Sequence, residues 1–79
     1  MVILMQAFIL MALKECDEKQ VLDELKELDE VKQAHVLFGE WDLIAQLEVE
    51  NTEALGTFMM DKIRSRPDIK LTSTLIVAK

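Results

Sequence analysis

An α+β sandwich is the fold class that the sequence predicts: a four-stranded antiparallel sheet with two helices packed on one face, supported by three observations. First, Ala34, Val36 and Phe38 alternate with His35 and Leu37 on one side of the corner Gly39-Glu40-Trp41-Asp42-Leu43-Ile44. On the other side Leu43, Ala45, Leu47 and Val49 alternate with Asp42, Ile44, Gln46, Glu48 and Glu50. That period of two belongs to strands whose two faces differ, and a glycine between them suits a hairpin turn. Second, two segments place their apolar residues at helical spacing behind a capping residue. Third, Val2 to Leu13 is apolar on both parities, as expected of a strand covered on both sides.

Each element follows in order. Val2 to Leu13 is strand one, with neither glycine nor proline to interrupt it. Asp17 offers an N-cap with Gln20 as its capping-box partner, and Val21, Leu22, Leu25 and Leu28 then repeat on one side of a helix over 17–29. Strand two runs from about Val31 to Phe38 and strand three from about Asp42 to Glu50. A second cap at Asn51 or Thr52 opens a helix carrying Ala54, Leu55, Phe58, Met59 and Ile63, which Pro67 and Asp68 end after Arg66. Gly56 inside this helix costs about 1 kcal/mol relative to alanine, so close packing is expected there. Ile69 to Ala78 is the last strand, with Ile69, Leu71, Ser73, Leu75 and Val77 on one parity and Lys70, Thr72, Thr74 and Ile76 on the other. Two right-handed strand-helix-strand units give a ferredoxin-like βαββαβ sandwich with strands one and three central.

The composition restricts the function classes. At 79 residues the chain is expected to be one domain over 1–79, and a domain this small buries little more than about 60% of its unfolded surface. It needs further stabilisation from disulfide, metal or self-association. A single cysteine, Cys16, excludes an internal disulfide, and Cys16 with His35 is too few ligands for structural zinc. Self-association remains, in keeping with 51% hydrophobic residues and a mean hydropathy of +0.15. The net charge of −6 and the pI near 4.6 are the wrong sign for a phosphate-binding surface, so direct nucleic-acid binding is not expected. The apolar N-terminal run lacks a basic leader region and falls short of the roughly 20 residues that span a bilayer. No membrane segment and a cytoplasmic location are expected.

Few residues carry a chemical signal. Asp42 has two readings: a carboxylate for a ligand ammonium, beside turn N–H groups for a ligand carboxylate, or a turn residue bonded to its own backbone. The residues alone leave both open. Trp41 suits a lid or a subunit anchor. Thr72, Ser73 and Thr74 are either good strand formers or the wall of a polar pocket. His35 has no partner nearby in sequence, and Cys16, just before a helix, is either a thiol of lowered pKa or a packing residue. No phosphate loop, HExxH, GxSxG or CxxC is present, so neither an enzyme nor a cofactor is expected.

Two stretches, Val36-Leu-Phe-Gly-Glu-Trp-Asp-Leu-Ile-Ala-Gln-Leu-Glu-Val-Glu50 and Ile63-Arg-Ser-Arg-Pro-Asp-Ile-Lys-Leu-Thr-Ser-Thr-Leu-Ile-Val77, resemble the effector-binding (RAM) domain of the Lrp/AsnC transcription regulators. The shared pattern is a "Gly, any, aromatic, Asp, apolar" turn, a helix, then "Pro, any, apolar" and a "Thr, Ser, Thr, apolar" strand. The resemblance implies a ferredoxin-like domain that dimerises through sheet faces and assembles dimers into octameric rings. It implies an amino-acid effector between dimers, at Gly39, Trp41, Asp42, Thr72, Ser73 and Thr74. The regulators carry a helix-turn-helix domain before this one, and this chain is expected to lack it. The implied function is an amino-acid-responsive oligomeric module that mixes with full-length Lrp/AsnC regulators through the shared interface. Three rivals stand beside it: a small dimeric ferredoxin-like monooxygenase using His35 and Trp41, an ACT-type amino-acid sensor, and a purely structural oligomerisation domain. Lys14-Glu15-Cys16-Asp17 lacks the glycine-bearing loop that an ACT domain places there.

Overall fold

A computed structural model describes residues 4–78. The element order is β1 (Met5–Leu13), α1 (Glu18–Lys26), β2 (Val31–Val36), β3 (Leu43–Val49), α2 (Thr52–Phe58) running into a π-helical turn (Met59–Ile63), and β4 (Ile69–Ile76). All pairings are antiparallel and the spatial order is β2-β3-β1-β4, so β1 and β3 are central, as the ferredoxin-like reading requires. The start of the expected first strand, Val2 and Ile3, lies outside the described residues.

The caps act where the sequence places them. The Asp17 carboxylate accepts from the N–H groups of Lys19 and Gln20, closing the first turn of α1. The Gln20 side chain turns outward to Glu24, so the capping box is only half formed. Asn51 Oδ1 accepts from Ala54 N–H at 2.8 Å and starts α2. α1 is shorter than expected, ending at Lys26, yet Leu28 still packs on the core. Arg64 N–H donates to Met59 O at 2.7 Å, the five-residue step of a π turn. The widened turn lets Phe58 and Ile63, five positions apart, both reach the core.

One core joins the layers. Ala7, Ile9 and Met11 of β1 and Leu43, Ala45, Leu47 and Val49 of β3 are buried against Val21 and Leu25 of α1 and Leu55, Phe58 and Ile63 of the second helical segment. Among the described residues no helix lies on the opposite sheet face. There Phe8 and Leu10 of β1 stand half-buried, with Ile44 opposite Leu10 on one side and Leu75 opposite Phe8 on the other.

Two bulges redistribute side chains that a strict alternation would misplace. In β2 the register steps from Val31 opposite Leu47 to Gln33 opposite Gln46, leaving Lys32 extra. Val31 and Ala34 therefore share the buried face although they are an odd number of positions apart. Val36 and Phe38, expected to continue that face from Ala34, are exposed instead, and the strand stops at Val36. In β4 the pairing jumps from Leu71 opposite Ala12 to Ile69 opposite Leu13, so Lys70 is extra. Ile69 thus shares the core side with Thr72, and Leu71 falls on the open side. Gly56 also departs from expectation: it is exposed, and a Cβ there would meet nothing within 4 Å.

An ion-pair clamp ties α1 to the segment before β4. Arg66 donates to Glu24 and lies 3.4 Å from the Asp68 carboxylate, while the Asp68 carbonyl accepts from Lys14 N–H at 2.9 Å. The hydrogen bond from Arg66 holds the Glu24 carboxyl below the usual carboxylate range. The unfolded chain then binds more protons than the folded one as this group titrates, so its contribution is complete above the unfolded pKa and lost as pH falls through the folded one. The destabilisation caused by Glu24→Gln is therefore expected in urea melts at neutral pH, to shrink as pH falls below the ordinary carboxylate pKa of about 4.3, and to vanish once pH is below the lowered folded value. Leu47→Ala, which empties a fully buried site, is expected to cost about 2–5 kcal/mol in the same assay.

Candidate functional site

The corner between β2 and β3 is a loop over residues 37–42, longer than the tight hairpin turn that the alternation suggests. Leu37 N–H donates to Asp42 O at 2.8 Å and closes it. Gly39 takes φ 143°, a conformation that a side chain would strain, so glycine is required at this point for backbone reasons. Phe38, Gly39 and Glu40 are exposed and Trp41 and Asp42 are half-buried.

Asp42 does something that neither reading of the sequence named. Its Oδ2 accepts from Leu13 N–H at 2.7 Å, across 29 positions of chain. Its own N–H donates to Met11 O at 2.9 Å. The β3 ladder has ended here, and the carboxylate supplies the acceptor that the last amide of β1 would otherwise lack. The other carboxylate oxygen is free of such a bond among the described residues.

The three hydroxyls do not point together. Thr72 and Thr74 lie opposite Met11 and Ile9 on the helix side, and Ser73 lies opposite Leu10 on the open side. Thr74 Oγ1 approaches Met59 Sδ at 3.9 Å. The loop and the hydroxyl strand sit at the same end of the sheet but on either side of β1. Two strand spacings, roughly 10 Å, therefore separate their backbones. An open groove of about 310 Å³ lined by Arg64, Ile69, Lys70, Leu71 and Thr72 takes in one of the six expected residues.

His35 and Cys16 both face solvent. His35 is exposed opposite Ile44, its Nε2 3.5 Å from Gln33 Oε1, and it borders a surface groove at the β2 edge with Lys26 and Lys32. Cys16 is exposed, which rules out the packing reading. Its thiol is pushed up, first by desolvation and then by the carboxylates of Asp68, Glu18, Asp17 and Asp42, so the thiol of lowered pKa is not found either. Among the described residues no group of three or more His, Cys, Asp or Glu is placed to hold a metal ion, and no helix is long and apolar enough to cross a membrane. Sequence reasoning missed Phe38, which is fully exposed at the loop tip. Its signal was its position directly before the turn glycine, where strand alternation ceases to govern direction.

Comparison with known proteins now bears on this geometry. The Lrp/AsnC ligand binding domain matches residues 6–79. The HTH-type transcriptional regulator FL11 of Pyrococcus abyssi is 32% identical over 75 residues, which cover 95% of this chain and 49% of that protein. The chain spans less than half the length of the curated relatives it matches. The crystal structure of hypothetical protein PHS023 from Pyrococcus horikoshii superposes with a TM-score of 0.89 at 40% identity, covering 95% of this chain and 90% of that one. The transcriptional regulator NMB0573 from Neisseria meningitidis, solved as a complex with L-Met, shares the fold with a TM-score of 0.86 at 22% identity, over 95% of this chain and 50% of its own. With residues 6–79 matching that domain and FL11 32% identical over 95% of this chain, the chain belongs to the family of Lrp/AsnC ligand-binding domains.

Proposed function

We propose that this chain is an oligomeric, amino-acid-responsive regulatory module whose effector lodges where copies meet, at Gly39, Trp41, Asp42, Thr72, Ser73 and Thr74. One observation carries the reading. Both halves of this polar set are attached to the same strand end, with Asp42 bonded to Met11 and Leu13 and Thr72 paired with Met11, yet β1 stands between them. With one half on each side of β1, the pocket lies open, and a neighbouring copy would supply its second wall. The turn supplies the carboxylate for an α-ammonium, and backbone N–H groups and hydroxyls receive the α-carboxylate. That a related fold has been solved with L-Met supports an amino acid as the ligand class.

Self-association rests on the uncovered sheet face. Leu71 and Leu75 are 59% and 51% exposed beside Phe8 and Leu10, an apolar surface that a second copy would cover. A dimer through this face, and four dimers in a ring, is the assembly proposed. An effector that favours one assembly shifts it by its differential affinity, and the assembly changes effector affinity in return. The likeness to FL11 supports mixing with full-length Lrp/AsnC regulators as the route to transcription, with no DNA contact made by this acidic chain itself.

A second reading is favoured by one specific feature. Since one Asp42 oxygen is already occupied by Leu13 N–H, the corner also makes sense as a purely structural joint in an oligomer that binds nothing. Calorimetric titration of the twenty amino acids separates the two. Binding of at least one at millimolar concentration or tighter, weakened at least about tenfold by Asp42→Ala, supports sensing; no heat with any of them leaves the structural module. Light scattering at micromolar concentration is expected to return at least a dimer, and a stable monomer would remove the interface on which the site depends.

A further inference from the structure

Three of the four polar groups of Asp42 are bonded, to β1 and to the start of the loop. Its N–H goes to Met11 O, its Oδ2 receives Leu13 N–H at 2.7 Å, and its carbonyl receives Leu37 N–H. Leu37 and Asp42 are the two ends of the loop that contains Gly39 and Trp41. Met11 and Leu13 are the β1 positions that pair with Thr72 and Ile69 of β4. Between them the β4 bulge at Lys70 changes the register.

Resting on the effector reading above, we propose that Asp42 is a positioning residue of the site. Its Oδ2 holds the Leu13 amide, fixing the loop of Gly39 and Trp41 against the strand end that carries Thr72 and leaving only Oδ1 for a ligand ammonium. The two oxygens thus have separable requirements. Oδ2 needs only to accept a hydrogen bond, which an amide oxygen also does. Oδ1 needs the negative charge, because a neutral amide does not balance an ammonium. Asp42→Asn keeps the first and removes the second; Asp42→Ala removes both.

The test reads the Leu13 amide by NMR hydrogen exchange, with no amino acid present, together with emission from Trp41, the single tryptophan of the chain. Asp42→Ala is expected to raise Leu13 exchange at least ~10-fold and to shift Trp41 emission to the red, while Asp42→Asn stays within ~3-fold of the parent with its emission unchanged. If Asp42→Ala fails to fold, folding of Asp42→Asn with a protected Leu13 amide is the same rescue and supports the assignment. Leu13 protection unchanged in Asp42→Ala overturns it, as does an Asp42→Asn protein that is unfolded or exchanges as fast as the alanine variant. Titrating an amino acid that binds the parent into Asp42→Asn then reads the second oxygen, with affinity expected to fall ~10-fold despite an intact loop; undiminished affinity overturns the division of roles. Failure of every amino acid to bind the parent counts against the proposed function alone, since the exchange result is obtained without ligand.

Discussion

The constraint on which the molecule depends is the satisfaction of β1, one of the two strands paired on both edges. Its inner side chains, Ala7, Ile9 and Met11, are wholly buried, and its amides and carbonyls are shared between β3 and β4. A strand so placed leaves no water to complete its hydrogen bonding, so every irregularity in its neighbours must be compensated from elsewhere. At its C-terminal end that compensation is concentrated: β3 has stopped, β4 bulges at Lys70, and the Asp42 side chain and the Asp68 carbonyl accept from the amides of Leu13 and Lys14. The Arg66 pairing with Asp68 and Glu24 then extends the same joint to α1.

That joint explains why the structural role and the proposed ligand-binding role converge on one corner. A loop carrying Gly39 at a left-handed φ has little intrinsic preference for one arrangement, and its two ends need fastening before it can present N–H groups in a fixed direction. The carboxylate that fastens it is also the charge an ammonium would seek. Asp42 is therefore neither a bare turn residue nor a ligand group waiting in solvent, and both roles draw on the same partly buried position.

Burial accounts for the rest of the architecture. Both helices stack on one face and form the single core, while the central strand keeps Phe8 and Leu10 on the other. Among the described residues no further layer covers them, and the acidic outer side of α1, with Asp23 and Glu27 exposed, stays hydrated. The sheet face is thus the surface whose burial gains most from association, because its side chains are apolar and already half-ordered by their strands.

The sequence alone determined whatever depends on neighbours close along the chain. Asp17 and Asn51 begin helices because their side chains reach amides two or three positions on; β3 alternates because its inner face meets the core at every second residue; Gly39 marks the loop because of its φ. Tertiary structure decided what depends on register. The bulges at Lys32 and Lys70 bring Val31 and Ile69 to the buried side, and the end of β2 at Val36 leaves Phe38 in solvent. The partner of Asp42 lies 29 positions away, so no local spacing could reveal it. Periodicity records which side of its own strand a residue occupies, whereas a one-residue slip against the next strand is set only when the two backbones meet.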